Sequence, residues 1–500
     1  MYYLAIVVIV LYALAMLFIF MYSFVQLHLL VLYLKSKKSK RDIPSLQADN
    51  LPLVTVQLPV YNELYVVEKL IECVANFDYP KQLLEVQILD DSSDETTAII
   101  EAKIKQFPDV NFQLIRRPNR SGYKAGALAY GTAIATGEFI AIFDADFQPS
   151  ANFLQQTLPY FTDENVGVVQ SKWEHINEKF SLLTRLQAFG LNAHFTVEQG
   201  GRNFGQHFIN FNGTAGIWRK SCIADAGGWQ SDTLTEDLDL SYRAQLKHWQ
   251  FVYLENLGSP AELPVAINAL KTQQFRWTKG AAECAVKNLP KVLQSKNHSF
   301  STKIHAIFHL LNSSIFLAIF ILGVLSVPLL WIKITYHQFN NWFTLASIFS
   351  LSFIVLAIFY GVSALQNSSH KILTTLKFMV KFPLFLAFSM GLSLHNALAV
   401  WEGLSGKKSA FIRTPKFNIQ NTQVKWWQNS YLSKGLTWLN GIELLLVFYF
   451  TYGLYITFSY QEYALLPILL FLSLGYFSIS VYTLKLVIYQ NTSIISLKGV

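Results

Sequence analysis

The spacing of apolar and polar positions divides the chain into three stretches. Residues 1–34 hold no Asp, Glu, Lys or Arg. A bilayer crossing takes about 20 apolar residues, so this run is read as a membrane anchor. Ala13-Leu14-Ala15 resembles a signal cleavage site, but no basic segment precedes it and the apolar run continues past it. Between residues 42 and 303 the pattern shifts to short apolar or β-branched runs at 53–60, 84–89, 111–115, 138–143 and 166–170. Helical spacing occupies 63–77, 93–107 and 124–136, the last stopped by Gly137. Strands alternating with helices predict an α/β domain with a mainly parallel sheet and helices on both faces. Ligands of such sheets sit at the carboxyl ends of the strands.

Beyond residue 303 the apolar runs return. Those at 304–332, 341–366, 436–460 and 464–484 each reach spanning length. The run at 382–401 is interrupted by Pro383, His395 and Asn396. Lys371, Lys377 and Lys381 precede it, and Lys407, Lys408, Arg413 and Lys416 follow it. Cytosolic loops collect Lys and Arg, so a run flanked by both clusters reads as interfacial or re-entrant. That gives five crossings with the C-terminus inside; six is the alternative. The expected organisation is a transmembrane helix and basic flank over 1–41, a cytosolic catalytic domain over 42–303, and membrane or interfacial helices over 304–500 with a cytosolic loop at 402–435.

Composition agrees with this division. The 500 residues are 52% hydrophobic and 14% charged, against about a quarter charged in soluble proteins, which excludes a purely soluble enzyme. The net charge of +8 is unevenly spread. Residues 42–303 hold 29 acidic and 23 basic residues, leaving −6. The remainder holds 17 basic residues against three acids, Glu402, Glu443 and Glu462, leaving +14. Positive charge beside apolar runs marks membrane flanks, so no nucleic-acid partner is expected. Lys35, Lys37, Lys38, Lys40 and Arg41 put residue 42 onward in the cytoplasm and the N-terminus outside. Cys73, Cys222 and Cys284 are too few and scattered for a disulfide framework or a zinc site, and read as reduced thiols.

Carboxylates follow two of the predicted strands: Asp90-Asp91-Ser92-Ser93-Asp94 and Asp144-Ala145-Asp146. Two carboxylates at a strand end can share Mg2+ or Mn2+ with a diphosphate. Singly, such a pair serves as well in a turn or a helix cap; two pairs on one sheet edge favour the metal. Arg116, Arg117 and Lys124 follow the third strand, meeting the same diphosphate or forming a solvated basic loop. Thr235-Glu236-Asp237 reads as a helix start, with Thr235 as N-cap and Asp237 as the carboxylate best suited to be a base. In Gln273-Gln274-Phe275-Arg276-Trp277, helical spacing puts Gln273, Arg276 and Trp277 on one face. That face offers phosphate-binding groups beside a flat plate for a sugar ring, or else Trp277 is core.

Together these motifs resemble family 2 glycosyltransferases of the membrane-embedded, cellulose-synthase-like kind. The runs at 211–219, 226–229, 235–240 and 273–280 are most similar to the plant cellulose-synthase-like A and C groups and their bacterial relatives. The A group makes mannan and glucomannan, and the C group a glucan backbone. The resemblance implies a GT-A catalytic fold facing the cytosol. It implies a nucleotide-sugar site at Tyr61, Glu63, Asp90, Asp91, Lys124, Asp144, Gln273 and Arg276, with Asp144 and Asp146 at the metal. Thr235, Glu236 and Asp237 would form the catalytic group, Asp237 being the base, with Trp277 and Gln274 on the acceptor side. Residues 411–416, Phe-Ile-Arg-Thr-Pro-Lys, are similar to the gating loop of cellulose synthases. Arg413 stands where that loop has valine, so nucleotide gating by Thr414 and Lys416 is not carried over.

The expected activity is inverting transfer from a nucleotide-sugar donor, GDP-mannose before UDP-glucose. The sugar is added to a growing β-linked polysaccharide, which leaves through the protein's own membrane helices. The expected setting is the plasma or inner membrane, or the Golgi of a eukaryote. Trp331, Trp342, Trp401, Trp426 and Trp427 are candidate channel residues or interfacial anchors; Glu443 is a pore or helix-pairing residue. The rivals are a non-processive transferase with a lipid acceptor, an inactive scaffold, and a transporter. The helices beyond the domain, the intact motifs and the scarcity of ionisable residues in the spans count against them in turn.

Overall fold

The computed structural model describes residues 2–39, 44, 51–366, 368–419, 426–433 and 435–498, the last eight by backbone only. Lys40 and Arg41 of the basic flank fall outside the described residues. Seven strands form one sheet: β1 (Val54–Val60), β2 (Leu84–Asp90), β3 (Asn111–Ile115), β4 (Phe139–Ile142), β5 (Val166–His175), β6 (Gly216–Arg219) and β7 (Gln250–Ala261). Their order is β3-β2-β1-β4-β6-β5-β7. β1, β2, β3 and β4 pair in parallel, as do β5 and β7, while β6 runs antiparallel to both β4 and β5. The sheet is therefore mixed and mainly parallel. β6 and β7 were not among the predicted strands.

Alternation decides which layer each strand residue joins. Phe139 and Ala141 pack with Val54, Val56 and Leu58 under the Val67–Ala75 helix. Ile140 and Ile142 pack on the other side with Leu128, Trp218 and Leu240. On that second side β1 and β2 bury polar residues. Thr55 donates to Glu85 at 2.5 Å and Gln57 donates to Gln87 at 3.0 Å. The Tyr123–Ile134 helix lies over this ladder, and a Cβ at Gly131 would come within 2.7 Å of Gln57. Gly137 does not stop that helix: the C-cap is Ala135. Gly137 instead lets the chain pass β1, where a Cβ would stand 2.4 Å from the Thr55 nitrogen.

Among the described residues, six helices are long and apolar enough to cross a membrane: Tyr2–Ser36, Ser314–Thr335, His337–Gln366, Lys371–Gly391, Trp438–Ser459 and Tyr463–Gln490. The run at 304–332 is divided between Phe300–Leu310 and Ser314–Thr335. The run at 382–401 is divided too, at Leu392, so that Lys371–Gly391 and Ser393–Leu404 are separate helices. Pro383 lies inside the first of them and is not the break. At the break the Leu394 N–H donates to the Tyr476 hydroxyl at 3.1 Å, replacing a lost helical bond. Both arms of this pair touch the sheet-bearing part of the chain: Phe378 meets Phe189, and Glu402 pairs with Lys279 at 3.0 Å. All three acids outside 42–303 are matched by lysine. Glu443 meets Lys271 at 2.6 Å and Glu462 meets Lys333 at 2.5 Å.

Candidate active site

The carboxyl ends of β1, β2 and β4 and the start of the Glu236–Leu246 helix open on one cavity of about 180 Å³. Of the fourteen side chains expected at the nucleotide-sugar, metal, catalytic and acceptor positions, twelve stand on its wall: Tyr61, Glu63, Asp91, Lys124, Asp144, Asp146, Thr235, Glu236, Asp237, Gln273, Arg276 and Trp277. Two others do not. Asp90 is buried behind the wall, accepting from the Ser92 N–H at 2.9 Å and from Thr97 at 2.6 Å. Gln274 faces a second cavity, described below.

The loops at the strand ends are tied by arginine. Arg117 forks onto Asp91, with Nε at 3.0 Å from Oδ1, and also donates to the carbonyls of Ser121 and Tyr123. Arg116 donates to the Ser92 carbonyl at 2.7 Å. Arg117 is buried against Asp91 and braces the crevice, whereas Arg116 stays largely exposed, as a solvated loop charge would. Arg120, not singled out by itself, stacks its guanidinium 3.3 Å from the Tyr61 ring centroid and lines the cavity.

Each carboxylate of the Asp144/Asp146 pair faces a lysine. Lys124 lies 2.5 Å from Asp144 and donates to the Gly213 carbonyl at 2.9 Å; Lys416 lies 2.6 Å from Asp146. The Asp144 N–H donates to Thr214 at 2.8 Å, which fixes the turn. Two hard oxygen donors, two residues apart on one wall, fit a divalent cation such as Mg2+ or Mn2+, which would take the place of the lysines now paired with them.

Thr235 occupies the N-cap position, but its side chain makes no capping bond. Its hydroxyl turns to the Cys284 thiol at 3.4 Å instead. The long Ile267–Gln294 helix passes so close that a Cβ at Gly280 would stand 2.5 Å from Thr235. That approach delivers Gln273, Arg276 and Trp277 to the cavity. Gly213, at φ +79, presses from the opposite side, 3.0 Å from the Asp237 carboxylate to a built Cβ. Burial first, then the neighbouring Glu236 carboxylate, push the Asp237 carboxyl up to about 7. Burial likewise raises Glu236. Asp239, one turn on, is a structural anchor held by Arg243 at 2.8 Å and Asn288 at 2.9 Å.

Residues 411–416 enter the cavity. Arg276 donates to Thr414 at 2.9 Å and lies over the Phe411 ring, while its Nε has no partner among the described residues. Arg413 pairs with Glu63 at 3.1 Å and donates to the Asn62 carbonyl. Burial pushes the Glu63 carboxyl up to about 8 in spite of that partner. Glu262, at the end of β7, accepts from the N–H groups of Phe417 and Asn418 at 3.1 and 2.9 Å and so pins the segment. Sequence reading missed Glu262 because β7 was missed; a carboxylate just past a strand was the available signal. It missed Trp173 as well, which lies in the part of β5 beyond the predicted run and lines the cavity.

A second cavity, about 640 Å³, leads from the first into the membrane helices. Trp173, Leu191, Asn212, Thr235, Asp237 and Trp277 belong to both walls. Farther in, the lining is Tyr22, Phe316, Phe353, Tyr360, Phe385 and their neighbours. None of the five tryptophans considered for a channel is on this wall. Trp342 and Trp401 are exposed, Trp331 packs edge-on to Tyr460, and Trp426 and Trp427 meet Tyr489. Glu443 is likewise a helix-pairing residue, through Lys271.

Residues 55–224 match the family described as glycosyl transferase family 2. Over 275 residues the chain is 40% identical to glucomannan 4-beta-mannosyltransferase 1 of Oryza sativa subsp. japonica, covering 54% of this chain and 53% of that one. It is 39% identical over 274 residues to glucomannan 4-beta-mannosyltransferase 2 of Arabidopsis thaliana, covering 53% and 51%. The chain thus spans about half the length of the curated relatives it matches. A mannosyltransferase from Pyrobaculum calidifontis, solved in complex with GDP-Man and Mn2+, superposes with a TM-score of 0.55 at 17% identity, covering 80% of this chain and 100% of that one. That likeness is one of fold, a GT-A-type sheet. The resemblance read from the motifs is borne out.

Proposed function

Starting from a family 2 glycosyl transferase match over residues 55–224, we propose that the chain is an inverting hexosyltransferase. It extends a β-linked polysaccharide from a nucleotide sugar, GDP-mannose before UDP-glucose, and passes the product into its own membrane helices. The observation that carries this reading is the position of Asp237 on the walls of both cavities. A base at that junction meets a donor from the sheet side and an acceptor from the membrane side.

The steps follow from the side chains. Asp237 takes the proton of an acceptor hydroxyl as that oxygen bonds to the anomeric carbon. The bond from that carbon to the diphosphate oxygen breaks on the opposite face, and the electron pair leaves with the nucleoside diphosphate. Arg276 and Lys124 hold the growing negative charge, in a site where fixed charges act strongly. A divalent cation on Asp144 and Asp146, Mg2+ or Mn2+, supplies further charge neutralisation when bound. Trp173 and Trp277 give the acceptor sugar flat faces, and Gln274 an amide beyond them.

We assign the membrane anchor to 1–41, the catalytic domain to 42–303 and the remaining helices to 304–500, with the catalytic side cytosolic. The 371–404 helix pair, touching the catalytic part through both arms, is taken as re-entrant, which leaves five crossings. A lipid-linked acceptor is the second reading, because the inner lining of the second cavity is largely aromatic and aliphatic. Purified protein given labelled GDP-mannose or UDP-glucose with Mn2+ distinguishes the readings. A β-linked polymer that resists organic extraction is expected; a single sugar on an extractable lipid would replace this reading with the second.

Because the base must be deprotonated, its raised pKa sets the acid limb of activity. Turnover at saturating donor should fall about tenfold per pH unit below about 7 and level off above it. A flat profile between pH 6 and 8, measured as sugar transferred per minute, would remove Asp237 from that role.

A further inference from the structure

Three histidines meet where the N-terminal membrane helix touches the rest of the chain. His28 comes from the Tyr2–Ser36 helix, His207 from the segment after the Gln199–Phe204 helix, and His305 from the Phe300–Leu310 helix. One ring nitrogen from each lies within 4.8 Å of the other two. His28 Nδ1 and His305 Nε2 are 2.7 Å apart, and the His207 ring stacks on His305 with centroids 3.9 Å apart. His207 and His305 are more than nine-tenths buried. Each also carries a buried nitrogen, Nε2 of His207 and Nδ1 of His305, with no hydrogen-bond partner among the described residues. An unpartnered buried nitrogen is costly, and that of His207 stands beside two further imidazoles.

We propose that His28, His207 and His305 bind a zinc ion that fastens the N-terminal membrane helix to the catalytic part of the chain. Imidazole is a ligand for zinc and not for the hard cations that carboxylates hold. Tetrahedral zinc takes nitrogen at about 2.0–2.1 Å, so its ligand atoms stand about 3.3 Å apart. Reaching that spacing requires the His28–His305 contact to open from 2.7 Å and the His207 ring to turn out of its stack on His305. The backbones are already held together. A Cβ at Gly201 would stand 2.4 Å from the Leu29 carbonyl oxygen, beside His28. Arg202, which lies close by, is paired with Glu198 at 3.0 Å. His28 lies on the outer side of the cluster, about two turns of helix before the basic residues that begin at Lys35, so a fourth ligand approaches from that side.

This site is independent of the proposed transfer reaction, and its test reads metal rather than sugar. The full chain, purified in detergent with a histidine-free tag, is equilibrated with zinc sulfate in excess Mg2+, dialysed, and assayed by mass spectrometry. About one zinc per chain is expected in the parent and almost none in H28Q or H207Q. Zinc should raise the thermal midpoint of the parent and leave that of either variant unmoved. His28 is at the surface, so H28Q keeps the fold even if H207Q does not. Equal zinc in the parent and H28Q, or no zinc in a folded parent, would overturn the proposal.

Discussion

Asp237→Asn should lower sugar transfer by about 10²–10⁴-fold, the usual contribution of a positioned general base, while nucleotide binding stays near normal. The amide keeps the size of the carboxylate, so the close approach of Gly213 and the helix start at Glu236 are preserved. What it loses is the ability to accept a proton. Glu236, next to it and also shifted upward by burial, is the obvious substitute, yet it lines only the first cavity. A carboxylate on the donor side is the worse placed of the two for a hydroxyl arriving from the membrane side. Initial rates with labelled donor, set against calorimetric binding of the nucleoside diphosphate, separate the two effects. Near-normal transfer by the variant would mean that another group is the base.

The parts of the fold that sequence reading reached are those in which one local rule dominates. β1 to β4 are short apolar or β-branched runs, and carboxylate pairs stand at the ends of β2 and β4, so strands and site could be read together. β6 is four residues long, inside a stretch whose residues look like a motif rather than a strand. β7 contains Glu255, Gly258 and Pro260, and its pairing with β5 shifts register near Ser171. Such a strand is set by its partner, not by its own spacing. Long-range partners were equally hidden. Nothing near Asp91 in sequence announces that Arg117 will occupy it, and Lys416 reaches Asp146 across 270 positions. Of the two readings open for the five tryptophans, the channel is the one their positions off the cavity wall disfavour, whereas Trp173 and Trp277 were placed by the sheet and its neighbouring helix.

Asp146→Asn and Asp144→Asn should each lower turnover by about 10²–10³-fold and remove stimulation by Mn2+. A bound divalent ion contributes several kcal/mol at a leaving group, and about 1.4 kcal/mol is a factor of ten. The two variants should differ in a second respect. Asp144 holds Lys124, whose other partner is the Gly213 carbonyl within the sheet domain. Asp146 holds Lys416 and with it the segment from Phe411 that covers the cavity. Asp146→Asn should therefore loosen that segment, seen as faster amide hydrogen exchange over 411–416, whereas Asp144→Asn should leave exchange there unchanged. Metal entering the pair must compete with Lys416 for the same carboxylate, so Mn2+ should speed exchange over 411–416 in the parent as well. If Asp146→Asn keeps its response to Mn2+, Asp146 is a clasp for Lys416 and not a ligand. If exchange over 411–416 is the same in parent and variant, the clasp fails and the metal role stands alone.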